Sequence, residues 1–189
     1  MSVSFTGPVR VYKYNNPSND GTIAPDNTGA AAVTQQSYIT NPIAAITGSA
    51  TTFTTADIGQ TTPTPFELPA GAIISNVRFY QTAAISAITG GVITVSINVT
   101  DPVTGNVTTT ALGTITPSAT GGVESITFNS TSAVAALLAN IGPLDASLTF
   151  QAAAVSAITG TLGGTFDVSY TARNVDGSIT NVGQGYSNN

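Results

Sequence analysis

Ile93-Thr94-Val95-Ser96-Ile97-Asn98-Val99-Thr100 alternates apolar side chains with hydroxyl- or amide-bearing ones along its whole length. A strand sends successive side chains to opposite faces, so this period of two gives one apolar and one polar face. The run stops at Asp101-Pro102-Val103-Thr104-Gly105-Asn106, a hairpin loop by its Asp, Pro and Gly, and Val107 to Ile115 then returns as a second strand.

The same signal extends in both directions. Upstream, the turn Leu68-Pro69-Ala70-Gly71 leads into Ala72 to Gln81, with Ile73, Val77 and Phe79 on one face. Downstream, strands are expected at Ser125 to Phe128 and Ala146 to Val155. A last one places Phe166, Val168, Tyr170 and Ala172 inward and Asp167, Ser169, Thr171 and Arg173 outward. One helix interrupts the series. Ser130, Thr131 or Ser132 can cap it, Ala133 to Ala139 form about two turns, and Asn140 with Gly142-Pro143 ends it. Seven or eight strands separated by turn residues predict an all-β fold, a jelly-roll-like β-sandwich with one short helix.

Residues 1–65 read differently, being dense in turn chemistry: Asn15 to Gly21, Ala24 to Gly29, and Asn41-Pro42. Short apolar pieces lie between, at Val9 to Tyr14, Val33 to Ile39 and Phe53. The pattern predicts an extended N-terminal arm with short strands over 1–65 and a sandwich domain over 66–189.

Gln81-Thr82-Ala83-Ala84-Ile85-Ser86-Ala87-Ile88-Thr89-Gly90 returns as Gln151-Ala152-Ala153-Ala154-Val155-Ser156-Ala157-Ile158-Thr159-Gly160, with eight of ten positions identical. Ala44-Ala45-Ile46-Thr47-Gly48 is a weaker third echo. Two clear copies are too few for a solenoid. Side by side they would form an apolar small-residue tip; apart, they are two structural corners of similar composition.

Composition narrows the function. Only 7% of the 189 residues are charged, against roughly 25% in average proteins. With 32 Thr, hydroxyls have replaced charge, and 16 Ile and 16 Val against 7 Leu favour strands. The chain has no His, Cys or Trp, which excludes His- or Cys-based nucleophilic catalysis, disulfides, and zinc or haem sites built on those ligands. Arg10, Lys13, Arg78 and Arg173 cannot form the basic stripe that phosphate contacts need, so nucleic acid is not expected as a partner. No apolar run approaches a membrane span, and the opening residues lack a signal-peptide pattern. The reading is a protein made in a cytoplasm, with no membrane partner.

Catalytic chemistry would fall to the acids. Asp57, Glu67, Asp101, Glu124, Asp145 and Asp167 are scattered, mostly at turns or on outward faces, not paired as glycoside hydrolysis requires. Asn19-Asp20-Gly21 and Asp26-Asn27 offer oxygens but not the spacing of a calcium loop. Gly160 with Gly163-Gly164 precedes a strand pattern and not a phosphate-holding helix. No enzyme activity, metal or cofactor is expected. Thr and Ser on outward strand faces instead suit close contact with other protein surfaces, without the desolvation cost of ions.

Two stretches carry a resemblance. Phe5-Thr6-Gly7-Pro8-Val9-Arg10-Val11-Tyr12-Lys13-Tyr14, with Thr28-Gly29-Ala30, and Phe66-Glu67-Leu68-Pro69-Ala70-Gly71-Ala72-Ile73-Ile74-Ser75-Asn76-Val77 resemble structural proteins of tailed-bacteriophage virions. The likeness is to capsid decoration (cement) proteins of phages infecting cyanobacteria, and it covers 25 of the 189 residues. It implies a sandwich that binds an assembled major-capsid lattice as a homotrimer, on the outside of the virion. A tail component or host-binding fibre domain is the alternative with the same architecture. The arm is the expected contact segment, through Arg10, Tyr12, Lys13, Tyr14 and Tyr38, because Tyr and Arg anchor interfaces well.

Overall fold

The computed structural model describes residues 31–46, 50–58, 60–85, 93–153 and 158–172. In chain order these form β1 (Ala31–Ile39), β2 (Ile43–Ile46), β3 (Thr51–Thr52), β4 (Thr55–Asp57), β5 (Phe66–Leu68), β6 (Ile73–Gln81), β7 (Ile93–Thr100) and β8 (Val107–Ile115). Next come β9 (Gly122–Ser125), β10 (Thr127–Phe128), the helix α1 (Ser132–Ala139), β11 (Ala146–Ala152), β12 (Ile158–Leu162) and β13 (Gly164–Ala172).

Two antiparallel sheets make an all-β sandwich. One, the β1 sheet, runs β4-β1-β13-β6-β9; the other, the β7 sheet, runs β10-β8-β7-β11-β3, with β5 also on β11. A separate ribbon joins β2 to β12. The alternation read in β7 holds: Ile93, Val95 and Ile97 are buried. Their partners Ala152, Phe150 and Leu148 on β11 are buried on the same face.

Phenylalanines join the two sheets. Phe166 on β13 stacks on Phe150 of β11, ring centroids 3.8 Å apart and planes 9° from parallel. Phe79 lies 5.0 Å from Phe166 on one side and Phe53 lies 6.0 Å away on another. Phe66 meets Phe150 edge-on. The tilted and edge-on contacts among these add to the roughly 1.5–3 kcal/mol gained by burying each ring.

Helix α1 closes the sandwich beside β6. Thr131 is its N-cap, its hydroxyl accepting from the Val134 N–H at 3.3 Å. Asn140 ends it, and its side chain accepts from the Gly142 N–H at 2.9 Å. Val134 enters the core, with Leu137 and Leu138 packed against it.

Three expectations need correction. The division at residue 65 fails, because β1 lies inside the β1 sheet, paired with β13 from Ala31 to Tyr38. Ile39, Ile43 and Phe53 join the core. The sandwich therefore includes residues 31–65; the turn-rich stretches there are connections, and residues 1–30 lie outside the described residues. Second, the inward residue near the start of β6 is Ile74, not Ile73, because a register shift between Ser169 and Tyr170 changes the parity of the pairing. Third, the strand read over Ser125 to Phe128 is two. Buried Ile126 bonds back to β6, its N–H donating to the Val77 carbonyl at 2.8 Å, and the chain then passes to the other sheet as β10.

Candidate interaction surface

Of the five residues expected at an interface, Arg10, Tyr12, Lys13 and Tyr14 lie outside the described residues. Tyr38 is half-buried on β1, opposite Ala56 on one side and Thr165 on the other, and its hydroxyl donates to the Gln60 carbonyl. That bond ties its hydroxyl to the chain just beyond β4.

Cross-strand pairing places Tyr38 in a row with chemistry that no local motif announces. Along the outer face of the β1 sheet, Tyr38, Thr165, Tyr80 and Val123 stand side by side. The next row is Gln36, Asp167, Arg78 and Ser125. Asp167 points outward as the alternation predicts, yet only 7% of it is exposed. Large neighbours on both flanking strands close over its short side chain. Tyr80 donates to its Oδ2 at 3.3 Å, and Oδ1 has no partner.

The outer face of the β7 sheet is different. Thr94, Ser96, Asn98 and Thr100 on β7 alternate with the core positions. Their register partners are Thr114, Ala111, Thr109 and Val107 on β8 and Gln151, Thr149 and Ser147 on β11. Thr109 donates to Asn98 Oδ1 at 2.7 Å, Asn98 donates to Thr149 Oγ1 at 3.3 Å, and Gln151 donates to Thr52 Oγ1 at 3.4 Å. None of these positions is charged; Glu67 on β5, opposite Ser147, brings one carboxylate to the same face. Strands about 4.8 Å apart thus carry hydroxyls and amides already linked to one another, with spare donors and acceptors toward solvent.

The described acids serve their own surroundings. Asp101 Oδ1 accepts from the Val103 and Thr104 N–H groups at 2.8 and 3.2 Å and so builds the β7–β8 loop; these backbone bonds lower its pKa. Asp145 accepts from the Ala70 N–H at 2.8 Å, pinning the turn before β6. Asp57, expected at a turn or on an outward face, is buried at the end of β4, where Ser37 donates to it at 3.4 Å. Among the described residues no three His, Cys, Asp or Glu side chains cluster as metal ligands would. The Asn19-Asp20-Gly21 and Asp26-Asn27 oxygens lie outside the described residues. No described helix is long and apolar enough to cross a membrane.

The repeated segments meet. A Cβ added to Gly160 would lie 3.1 Å from the Ile85 Cα, so the end of one copy abuts the middle of the other. Ile158 and Thr159 pair with Ile46 and Ala45 of the third echo. The copies are not equivalent, however: Gln81 is buried and holds the Ser118 backbone through both ends of its amide, whereas Gln151 is exposed. Residues 86–90 and 154–157 lie outside the described residues.

Comparisons of the chain with protein-family models, with curated proteins and with solved structures return no significant match.

Proposed function

We propose that this chain is a structural virion protein of a tailed bacteriophage, a capsid decoration (cement) protein that stabilises the head by non-covalent contacts with the assembled major-capsid lattice. The observation that carries this reading is the hydroxyl- and amide-rich outer face of β7, β8 and β11, where, among the described residues, Glu67 on β5 is the one charge. Such groups re-pair with a partner's backbone at far lower cost than buried ions, so a broad face of them suits docking on another protein. Many weak contacts repeated over a lattice then gain by avidity. The two stretches that resemble decoration proteins support the same reading.

A jelly-roll winding fits this role and is supported by strand order. Taking β1, β3, β6, β7, β8, β9, β11 and β13 as the eight principal strands, the first and last are neighbours in one sheet, and four strands fall in each sheet. The partners in this reading are the major capsid protein and further copies of the chain as a homotrimer. Its place is the outer capsid surface after synthesis in the host cytoplasm. Nucleic acid, membrane, cofactor and enzymatic turnover have no part in it.

The test is co-sedimentation of the purified protein with undecorated heads at about 0.1 M and about 1 M salt, where the screening length falls from roughly 10 to 3 Å. Binding at both salts is expected, and loss of binding in Thr149→Glu, which places a charge in the centre of the face. No binding to heads, with rings or tubes in solution, moves the reading to a tail component; binding to host glycan moves it to a fibre domain.

A further inference from the structure

The β1 sheet has an unfinished side. β1 pairs with β13 along nearly its whole length, but on its other side β4 covers only Ser37 to Ile39. From Ala31 to Gln36 that edge has no partner among the described residues. The direction of its backbone groups follows from the ladder. The Thr40 N–H donates to the Thr54 carbonyl on the β4 side, and alternate residues of an antiparallel strand bond to the same side. The N–H and C=O groups of Ala32, Thr34 and Gln36 therefore face the open edge.

Natural edges are blocked by charge, Pro or a bulge. Ala31-Ala32-Val33-Thr34-Gln35-Gln36 has neither charge nor Pro, and its pairing with β13 is regular. A second observation lies on the inward face of the same end. Gln35 Oε1 and the Tyr170 hydroxyl are closed to solvent and have no hydrogen-bond partner. They stand on adjacent strands, Gln35 opposite Val168 and Tyr170 opposite Val33. Of the two, Gln35 lies on the edge strand itself, and because buried polar atoms are nearly always paired, its orphan oxygen beside the open edge indicates that something further packs there.

We propose that the occupant is this chain's own segment Val9–Tyr14, added antiparallel to the open edge of β1 as a further strand. Val9-Arg10-Val11-Tyr12-Lys13-Tyr14 is the clearest strand pattern among residues 1–30, and its six residues match the six of the open edge. In the register that sets Val11 opposite Val33, Val9 and Val11 continue the inward face, Lys13 follows them beside Ala31 at the end of the strand, and Arg10, Tyr12 and Tyr14 turn to the outer face that carries Gln36 and Tyr38. Residues 15–30 join the two strands. Antiparallel addition leaves the ends of that linker about 5 Å apart, one inter-strand spacing, a gap that a flexible segment with an end-to-end distance of about 20–24 Å closes readily. The tether therefore favours the chain's own edge over that of another copy at low concentration. The sandwich otherwise carries six acids and a single base over residues 31–172, so a segment bearing Arg10 and Lys13 is also favoured by charge.

The test is amide exchange on the full chain, with trypsin as a second probe, since Lys13 is one of only four cleavage sites. In the unmodified protein the Thr34 and Gln36 amides should exchange at least about tenfold more slowly than an open edge allows. Alternation sends one of two adjacent N–H groups into a ladder, so either Val11→Pro or Tyr12→Pro must break it. In that variant, exchange at Thr34 and Gln36 and cleavage after Lys13 should both rise by about tenfold, with the Val77 and Val95 amides unchanged. Unprotected Thr34 and Gln36 in the unmodified chain overturn the proposal without recourse to any variant. Protection that survives both proline variants overturns it as well. Protection that grows with protein concentration assigns the edge to a second copy and overturns the own-chain occupant. Heads enter none of these measurements, so the proposal stands or falls apart from the virion reading.

Discussion

The two outer faces of the sandwich rest on the same alternation and a shared core, yet they are built from different chemistry. The β1 sheet shows Tyr38, Tyr80, Arg78 and a nearly buried Asp167 within two cross-strand rows. The β7 sheet shows mostly hydroxyls and amides across its three long strands, with Ala111 and Val107 among them and no charge on those strands' outer positions. On the first, one carboxylate depends on one tyrosine, so a single substitution removes a particular interaction. On the second, each side chain is one of many similar members and water can replace it. Specificity therefore resides on the β1 face and tolerance on the β7 face, and the comparison can be tested substitution by substitution.

The largest effect should come from the core both faces share. Phe166 touches Phe53, Phe79 and Phe150, and Phe166→Ala is expected to cost about 3–5 kcal/mol in urea unfolding. Probes on the two sheets should report one transition. Two separate transitions would mean that the faces belong to independently stable layers, and the comparison would lose its common reference.

Next in size are two glycines, one in each sheet, where a neighbouring strand comes too close for a side chain. A Cβ on Gly164 would lie 2.0 Å from the Tyr80 carbonyl oxygen, and one on Gly113 would lie 2.2 Å from that of Thr127. Alanine at either position forces backbone apart, at a cost of about 1–3 kcal/mol. Similar losses from Gly164→Ala and Gly113→Ala would place the difference between the faces in their side chains alone; a tolerated Gly113→Ala would extend the tolerance of the β7 sheet to its backbone.

The faces themselves separate at the next level. Tyr80→Phe removes the bond to Asp167 Oδ2 and leaves a buried carboxylate without partners on either oxygen, for about 1–2 kcal/mol. Asn98→Ala removes the centre of the Thr109–Asn98–Thr149 chain but exposes its neighbours to water, and should stay within about 0.5 kcal/mol. Thermal unfolding of the two variants measures the contrast directly. Equal losses would show that the hydroxyl network is as demanding as the carboxylate.

How much of this was legible beforehand follows from which interactions are local. The period of β7, the loop at 101–106, the Thr131 cap and the inward set Phe166, Val168 and Tyr170 all lie within a few residues of their cause, and the sequence displays them. What was missed depends on distant partners. Val33 to Ile39 reads as a piece of arm because its inward face includes Gln35 and Ser37, polar residues that break the apolar pattern. Their neighbours Asp57 and Tyr170 come from elsewhere in the chain. The Tyr38–Asp167–Tyr80 face exists only through the order β1-β13-β6, which no local spacing encodes. Tyr80 and Asp167 were each visible as residues, but nothing in the sequence placed them 3.3 Å apart.

Tyr170 offers a smaller effect, of opposite sign. Its hydroxyl is buried and unpartnered, and burial raises its pKa above the usual 10.0. Tyr170→Phe keeps the ring and removes the orphan, so it should stabilise by about 1 kcal/mol. The raised pKa also means that the folded state holds the proton longer than the unfolded chain. This contribution is whole below pH 10.0 and fades as pH rises toward the higher folded value. Alkaline unfolding should be shallower in Tyr170→Phe. An unchanged alkaline limb, or a loss of stability at neutral pH, would show that the hydroxyl has a partner; the occupant proposed for the β1 edge could supply one.

The smallest effect belongs to the loop that joins the first two strands of the β7 face. Asp101 is fully exposed, and the Val103 and Thr104 N–H groups hold its pKa below the usual 3.8. A depressed carboxyl stabilises the folded form above its unfolded value and ceases to do so as pH falls through the lower folded one. Asp101→Ala at neutral pH, or acid in the unmodified chain, should therefore loosen the Val103 and Thr104 amides in hydrogen exchange. The global melting point should scarcely move, since the loop stands clear of the core and its Val103 is 91% exposed. If Asp101→Ala also freed the amides of Asn98 and Thr109, the register of the hydroxyl face would hang on this turn, and its tolerance to substitution would end at its own hairpin.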